Sequence, residues 1–229
     1  MELEKLSAVG EVAAKVAHEI RTPLVSIGGF ANQIARNLPD GDRNLESLTI
    51  IREEVLRLER IVTEMLDFVK SPVRNFSPGD LNDLVEKTAW LMSEEFAGRG
   101  VQIRTDLQSG LPRVMMNHHQ IHQVLTNLIH NAAQSMPTGG HVEVTTETGD
   151  AWVRLHVDDE GTGIPEGDRA KVFQAFYSTK ESGSGLGLPI ASQIVTQHQG
   201  RIHCRPRDQG GTRFTVELPL LPESGGKSR

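Results

Sequence analysis

The sequence predicts an all-α helical hairpin, paired with a second copy as a dimeric four-helix bundle, followed by an α+β sandwich domain. Two long apolar runs recur at steps of three and four residues, with the turn Pro39-Asp40-Gly41-Asp42 between them. A stretch rich in proline, serine and glycine, residues 72–79, ends the helical pattern. Beyond it, short alternating strand-like segments are interspersed with helical ones. Strands on one face and helices on the other make a two-layer sandwich.

The first run places Leu6, Val9, Ala13, Val16, Ile20, Leu24, Ile27, Ala31 and Ile34 on one stripe of a helix. Pro23 lies inside it, removes a backbone donor, and is expected to bend the helix just after His18. The second run, Leu48, Ile51, Val55, Leu58, Val62, Met65 and Val69, is a heptad seam that stops at Ser71-Pro72. Two helices joined by a short turn form an antiparallel hairpin. Alone, each stripe has little to bury against, so a homodimer is expected. The alternative is a hairpin packed on the rest of its own chain.

The expected organisation is a hairpin over 1–71, a linker over 72–79, a second domain over 80–222 and a disordered tail over 223–229. In the second domain, Leu81 to about Phe96 reads as a helix, and 101–105 and 113–116 as strands. Asn117 is suited to cap a helix running to about Ser135. Residues 142–146 and 152–158 read as strands around a Gly149-Asp150 turn. A helix from Pro189 to about Gln199 follows, with proline fitting its first turn. Strands at 201–205 and 213–218 complete the domain.

Composition narrows the function. The 229 residues are 37% hydrophobic and 24% charged, enough for a buried core without disulfides or metals. A net charge of −6 argues against nucleic acid, whose phosphates call for a basic surface. The single cysteine, Cys204, cannot form an intrachain disulfide, and a reducing, cytoplasmic setting is expected. No apolar stretch reaches the ~18 residues of a membrane helix. A membrane anchor would have to come from a longer parent protein.

Four segments carry chemistry. In His18-Glu19-Ile20-Arg21-Thr22-Pro23-Leu24 the histidine lies off the apolar stripe, which points its imidazole to solvent. An imidazole with one free nitrogen is a competent nucleophile, and Glu19 can hold and take the proton on the other. Asn127 and Asn131 lie four apart on one helical face, and amide oxygens suit magnesium. Asp158-Asp159-Glu160-Gly161-Thr162-Gly163-Ile164-Pro165 sets a carboxylate at a strand end beside glycines that allow close backbone approach. Gly183-Ser184-Gly185-Leu186-Gly187-Leu188 precedes a helix whose N-terminus favours phosphate. No strand leads directly into these glycines, which rejects a Rossmann loop. His118 and His122 have a zinc-helix spacing, but His119 and Gln120 follow where a zinc protease needs glutamate, so no zinc site is expected.

In this order, the segments resemble the boxes of sensor histidine kinases, over about Leu6 to Leu218. The first resembles the H-box, His-Glu-x-x-Thr/Asn-Pro-Leu. This implies His18 as phosphoacceptor, Glu19 as its general base, and a phosphatase role for Thr22. The asparagine helix resembles the N-box, with Asn131 as magnesium ligand and Asn127 in support. The acidic glycine segment resembles the G1 box, in which Asp159, not Asp158, reads adenine beside Gly161, Gly163 and Ile164. Gly183, Ser184, Gly185, Leu186, Gly187 and Leu188 resemble the G2 box. Val172 to Lys180 resembles the F-box and lid, with Lys180 reaching a phosphate, and Thr212 resembles a position beside adenine. Ala175 in place of the box's proline, and Pro189 after the G2 box, depart from the pattern without removing a ligand. The resemblance implies ATP and Mg2+ as cofactors, autophosphorylation of His18, and transfer to an aspartate on a response-regulator receiver domain. The rivals are another enzyme of the same ATPase superfamily, such as a mechanochemical ATPase or a serine kinase, and a non-catalytic dimerising scaffold that binds ATP weakly.

Overall fold

The computed structural model describes residues 2–39, 41–69, 75–180 and 184–221, with the side chains of 2–19, 60, 64–65 and 67–69 outside the description. The expectations that fall on Asp40, residues 72–74, Gly183 and the tail 223–229 therefore lie outside the described residues. The chain divides into two compact units, Met1–Pro72 and Val73–Arg229.

The first unit is a pair of helices, α1 (Glu2–Asn37) and α2 (Asn44–Val69). Helix α1 runs unbroken through Pro23. The turn is closed by the Asp42 N–H donating to the Pro39 carbonyl at 3.1 Å, and the Asp42 carboxylate accepts the Asn44 N–H at 2.8 Å. That carboxylate satisfies a donor at the start of α2 that has no partner within the helix.

The heptad divides in two. Leu24 and Ala31 of α1, and Leu48, Val55 and Val62 of α2, are buried at seven-residue intervals and close the hairpin. Ile20, Ile27 and Ile34 of α1, and Ile51 and Leu58 of α2, recur at the same interval and are exposed. A Cβ on Gly28 would lie 3.2 Å from Val55, so the glycine lets the helices approach. Arg21 donates to Thr63 Oγ1 at 3.2 Å across the pair.

The second unit starts with a short strand β1 (Ser77–Gly79), followed by α3 (Leu81–Phe96), β2 (Val101–Leu107), β3 (Val114–Met116) and α4 (His118–Gln134). Strands β4 (Gly140–Thr148) and β5 (Trp152–Asp159), helix α5 (Gly187–Gln197), and strands β6 (Arg201–Pro206) and β7 (Thr212–Pro219) complete it. The expected linker is corrected at its end. Ser77–Gly79 pairs antiparallel with β3, with Pro78 opposite Met115. A proline is tolerated there because a two-stranded sheet has only edges.

The main sheet has the order β2-β4-β5-β7-β6, with β2 and β4 parallel and the other neighbours antiparallel. Register explains its two faces. Val144, Val157 and Phe214 lie in one row, and Thr146, Leu155 and Val216 in the next; all are buried in the layer shared with the helices. The alternate residues form a polar face. There Arg154 bridges Glu217 at 3.0 Å and Glu147 at 3.1 Å. Helix α3 is capped by Asp80, which accepts the Asp83 N–H, and α4 by Asn117, which accepts the Gln120 N–H at 3.2 Å. Among the described residues, no helix is long and apolar enough to cross a membrane.

Candidate active site

In the first unit, His18, Glu19 and Thr22 all lie within α1, with Pro23 immediately after them. The side chains of His18 and Glu19 are outside the description. Thr22 is exposed, and its carbonyl accepts the Ser26 hydroxyl at 3.2 Å. That bond is the side-chain-to-(i−4) carbonyl contact open to serine in a helix.

In the second unit, Asn127 and Asn131 of α4 meet Gly187 and Lys180, and Asp159 meets Gly161 and Thr212. β5 delivers Asp159 to the helix-facing side of the sheet, and Asp159 is 1% exposed. Its Oδ1 accepts the Gly161 N–H at 2.8 Å and the Thr212 N–H at 3.2 Å, so the loop after β5 and the start of β7 close on one oxygen. Burial raises the carboxyl's pKa; these two N–H bonds, the Ser135 hydroxyl and Lys180 oppose the rise. Gly211 has φ +88°, and a Cβ there would collide with the Asp159 carbonyl, so this approach needs glycine. Gly163 and Ile164 continue the loop, and the Ile164 carbonyl accepts from Arg169 Nε at 3.3 Å.

Asp158 points the other way. It is fully buried on the polar face, bound by the Arg213 guanidinium, with Arg207 Nε 3.6 Å away. A buried carboxylate has to be paired in this way. Adjacent carboxylates thus have separate duties, fixed by the strand's alternation.

Asn127 and Asn131 share a face of α4, as their spacing requires. The Asn127 amide donates to the Gly187 carbonyl at 3.0 Å, which ties α4 to the first residue of α5. The Lys180 ammonium donates to Asn131 Oδ1 at 3.0 Å, to the Asn131 carbonyl at 3.2 Å and to Gln134 Oε1 at 3.4 Å. Burial lowers the Lys180 pKa, and Asp159 opposes the shift. His130 instead faces α3, its ring edge-on to Phe96 at 5.1 Å and 3.6 Å from Glu95.

The glycine segment leads into α5. Ser184 Oγ accepts the Leu186 N–H at 3.2 Å, and buried Leu186 precedes the helix that begins with Gly187 and Leu188. Gly185 has φ +69°, and a Cβ there would lie 2.7 Å from the Phe176 carbonyl carbon. The Phe176 N–H donates to the Gly185 carbonyl at 3.0 Å. Helix α5 starts two residues before the expected Pro189, which still sits in the first turn, where a missing N–H costs nothing.

Two regions match known families. Residues 8–72 match the His Kinase A (phospho-acceptor) domain, and residues 116–222 match the histidine kinase-, DNA gyrase B- and HSP90-like ATPase family. The sensor histidine kinase ZraS of Escherichia coli O157:H7 is 37% identical over 217 residues, covering 95% of this chain and 47% of ZraS.

The chain belongs to the sensor histidine kinase family.

Solved structures agree. Full-length ShkA in complex with AMPPNP superposes with a TM-score of 0.77 at 28% identity, over 93% of this chain and 46% of ShkA. The histidine kinase ThkA, in complex with the response regulator protein TrrA, superposes with a TM-score of 0.71 at 34% identity, over 96% of this chain and 64% of ThkA. The chain spans about half the length of the curated relatives it matches.

Within this histidine kinase core, sequence reasoning missed Arg207 and Gln134. Arg207 donates to the Asp159 carbonyl at 2.9 Å and faces Asp158, so it clamps the strand end that presents Asp159. Gln134 shares Lys180 with Asn131. Its position three residues after Asn131 was the available signal. Nothing local to Arg207 marks its role.

Proposed function

We propose that this chain transfers the γ-phosphoryl group of ATP to His18, and that a receiver-domain aspartate on a response regulator then takes it. The observation that supports this best is the succession, in one chain, of a phospho-acceptor helical region at 8–72 and an ATPase region at 116–222.

In this reading the His18 imidazole attacks the γ-phosphorus, ADP leaves, and Glu19 takes the ring proton. Asp159 accepts the adenine amino group, with Gly161, Gly163, Ile164 and Thr212 around that end of the nucleotide. The backbone donors of 183–188, at the N-terminus of α5, bind phosphate. Asn127 keeps α5 against α4 through Gly187. Lys180 exchanges the Asn131 oxygens for phosphate oxygens.

Asn131 would hold Mg2+. Its Oδ1 is a neutral oxygen donor of the kind that ion takes, and in the structure a cation, the Lys180 ammonium, already rests on it. Held there, the ion would supply positive charge to offset that of the phosphates.

The active form is a homodimer. The exposed row of Ile20, Ile27, Ile34, Ile51 and Leu58 is what a second hairpin would cover to make a four-helix bundle. Thr22 positions a water for dephosphorylation of the regulator, and the reaction takes place in the cytoplasm.

Incubation with γ-labelled ATP tests the proposal. The expected product is a phosphoprotein that is labile in acid and stable in base. A superfamily ATPase would release phosphate without labelling itself, and an ATP-binding scaffold would do neither.

A further inference from the structure

His198, just past the end of α5, is 4% exposed, and both its ring nitrogens are engaged by backbone groups. Nδ1 lies 2.8 Å from the Ile194 carbonyl of its own helix, and Nε2 lies 3.0 Å from the backbone nitrogen of Asn117. A carbonyl only accepts and an N–H only donates. The ring is therefore neutral, with its proton on Nδ1 and a lone pair on Nε2. The ring also meets Phe76 edge-on, at 4.7 Å between centroids. Asn117 is the residue where β3 turns into α4, and its side chain caps that helix. Phe76 lies four residues after Pro72, where the first unit ends. One buried imidazole thus joins the end of α5, the start of α4 and the segment that opens the second unit.

We infer that His198 is a positioning residue for nucleotide binding, and that its protonation releases the start of α4 and weakens the site. This rests on the functional reading above, in which Asn127 and Asn131 of α4 face the nucleotide. A proton on Nε2 would set two donors against each other at 3.0 Å in a buried place, with no acceptor between them. The ring must then leave, and its contacts with Asn117 and Phe76 go with it.

The surroundings favour the neutral form. Burial lowers the His198 pKa, and the bond to the Ile194 carbonyl only partly offsets it. Neither α5 nor the segment 75–79 contains an ionisable residue. Helix α4 contributes His118, His119 and His122 in its first turns, and the His122 pKa is itself lowered, by burial first and then by His119. The sign follows from the depressed pKa. The neutral ring's contribution is complete above the ordinary histidine value of about 6.5 and is lost as pH falls below it.

The test has two parts. In histidine-selective nitrogen NMR of the whole chain, His198 should show the Nδ1–H form, titrate below about 6.5, and shift lower still when ADP is saturating. ADP affinity should also be measured by calorimetry from pH 8 to pH 5, for wild type and His198→Gln. The wild type should lose roughly tenfold more affinity than the variant across the acid range. The ADP phosphates and Asp159 titrate alike in both proteins, so only the difference reports on His198. An Nε2–H form, or superimposable pH profiles, would overturn the inference. If the variant does not fold, the wild-type spectrum decides alone. Failure of ADP to bind at any pH would instead remove the functional reading, while the spectrum still reports the state of the ring.

Discussion

The Lys180 ammonium lies 3.0 Å from Asn131 Oδ1, a contact between residues 49 positions apart. It sets a cation on the amide oxygen proposed to hold magnesium, and it acts on Asp159 through its charge. Ligands with and without phosphates therefore probe the two ends of the nucleotide separately. Lys180→Met should weaken ATP binding roughly tenfold, about 1.4 kcal/mol, and leave adenosine binding unchanged. Calorimetry with both ligands checks this, and an equal loss for both would place Lys180 elsewhere.

Asp159→Asn should behave differently. The carboxylate oxygen that accepts from Gly161 and Thr212 is almost fully buried. Replacing part of a satisfied, buried polar set costs about 1–3 kcal/mol. ATP and adenosine should weaken together. Unchanged adenosine affinity would take Asp159 out of the adenine site.

The exposed heptad positions predict oligomeric state. Ile51 and Leu58 are exposed on α2, while Leu48, Val55 and Val62 are buried inside the hairpin. Ile51→Lys with Leu58→Lys should leave the hairpin helical and turn the proposed dimer into a monomer at micromolar concentration. Sedimentation velocity and circular dichroism read both. A dimeric double variant would mean another surface pairs the subunits.

Thr22 is proposed to separate two activities. It is exposed in α1, four residues after His18, and is neither nucleophile nor base in the kinase step. Thr22→Ala should keep autophosphorylation within a few-fold of wild type. It should slow dephosphorylation of a phosphorylated regulator by at least ~10-fold, about 1.4 kcal/mol of barrier. Equal dephosphorylation rates would leave Thr22 with a purely local role in the helix.

Local pattern made the long elements legible. The spacing of Leu48, Val55 and Val62 marked α2, and Asn117 marked the start of α4, because both signals act within a turn or two of helix. Long-range pairing was not legible. Ser77-Pro78-Gly79 looks like linker, and only the partner strand β3 makes it a strand. The contrast between Asp158 and Asp159 depends on which face of β5 each meets and on Arg213 and Arg207, more than forty residues on. Likewise, Gly187, the partner of Asn127, and Asn117, which donates to His198, lie 60 and 81 positions away. The resemblance to a family supplied an expected role for Asp159. It supplied none for His198, which lies outside every box.

The site of phosphorylation tests the account most directly. Wild type and His18→Gln should be incubated with γ-labelled ATP, and the labelled protein mapped by mass spectrometry under basic conditions that preserve phosphohistidine. The account predicts phosphate on His18 in the wild type, and no acid-labile label on the variant, with ADP affinity unchanged between the two. Undiminished labelling of His18→Gln on another histidine would contradict it.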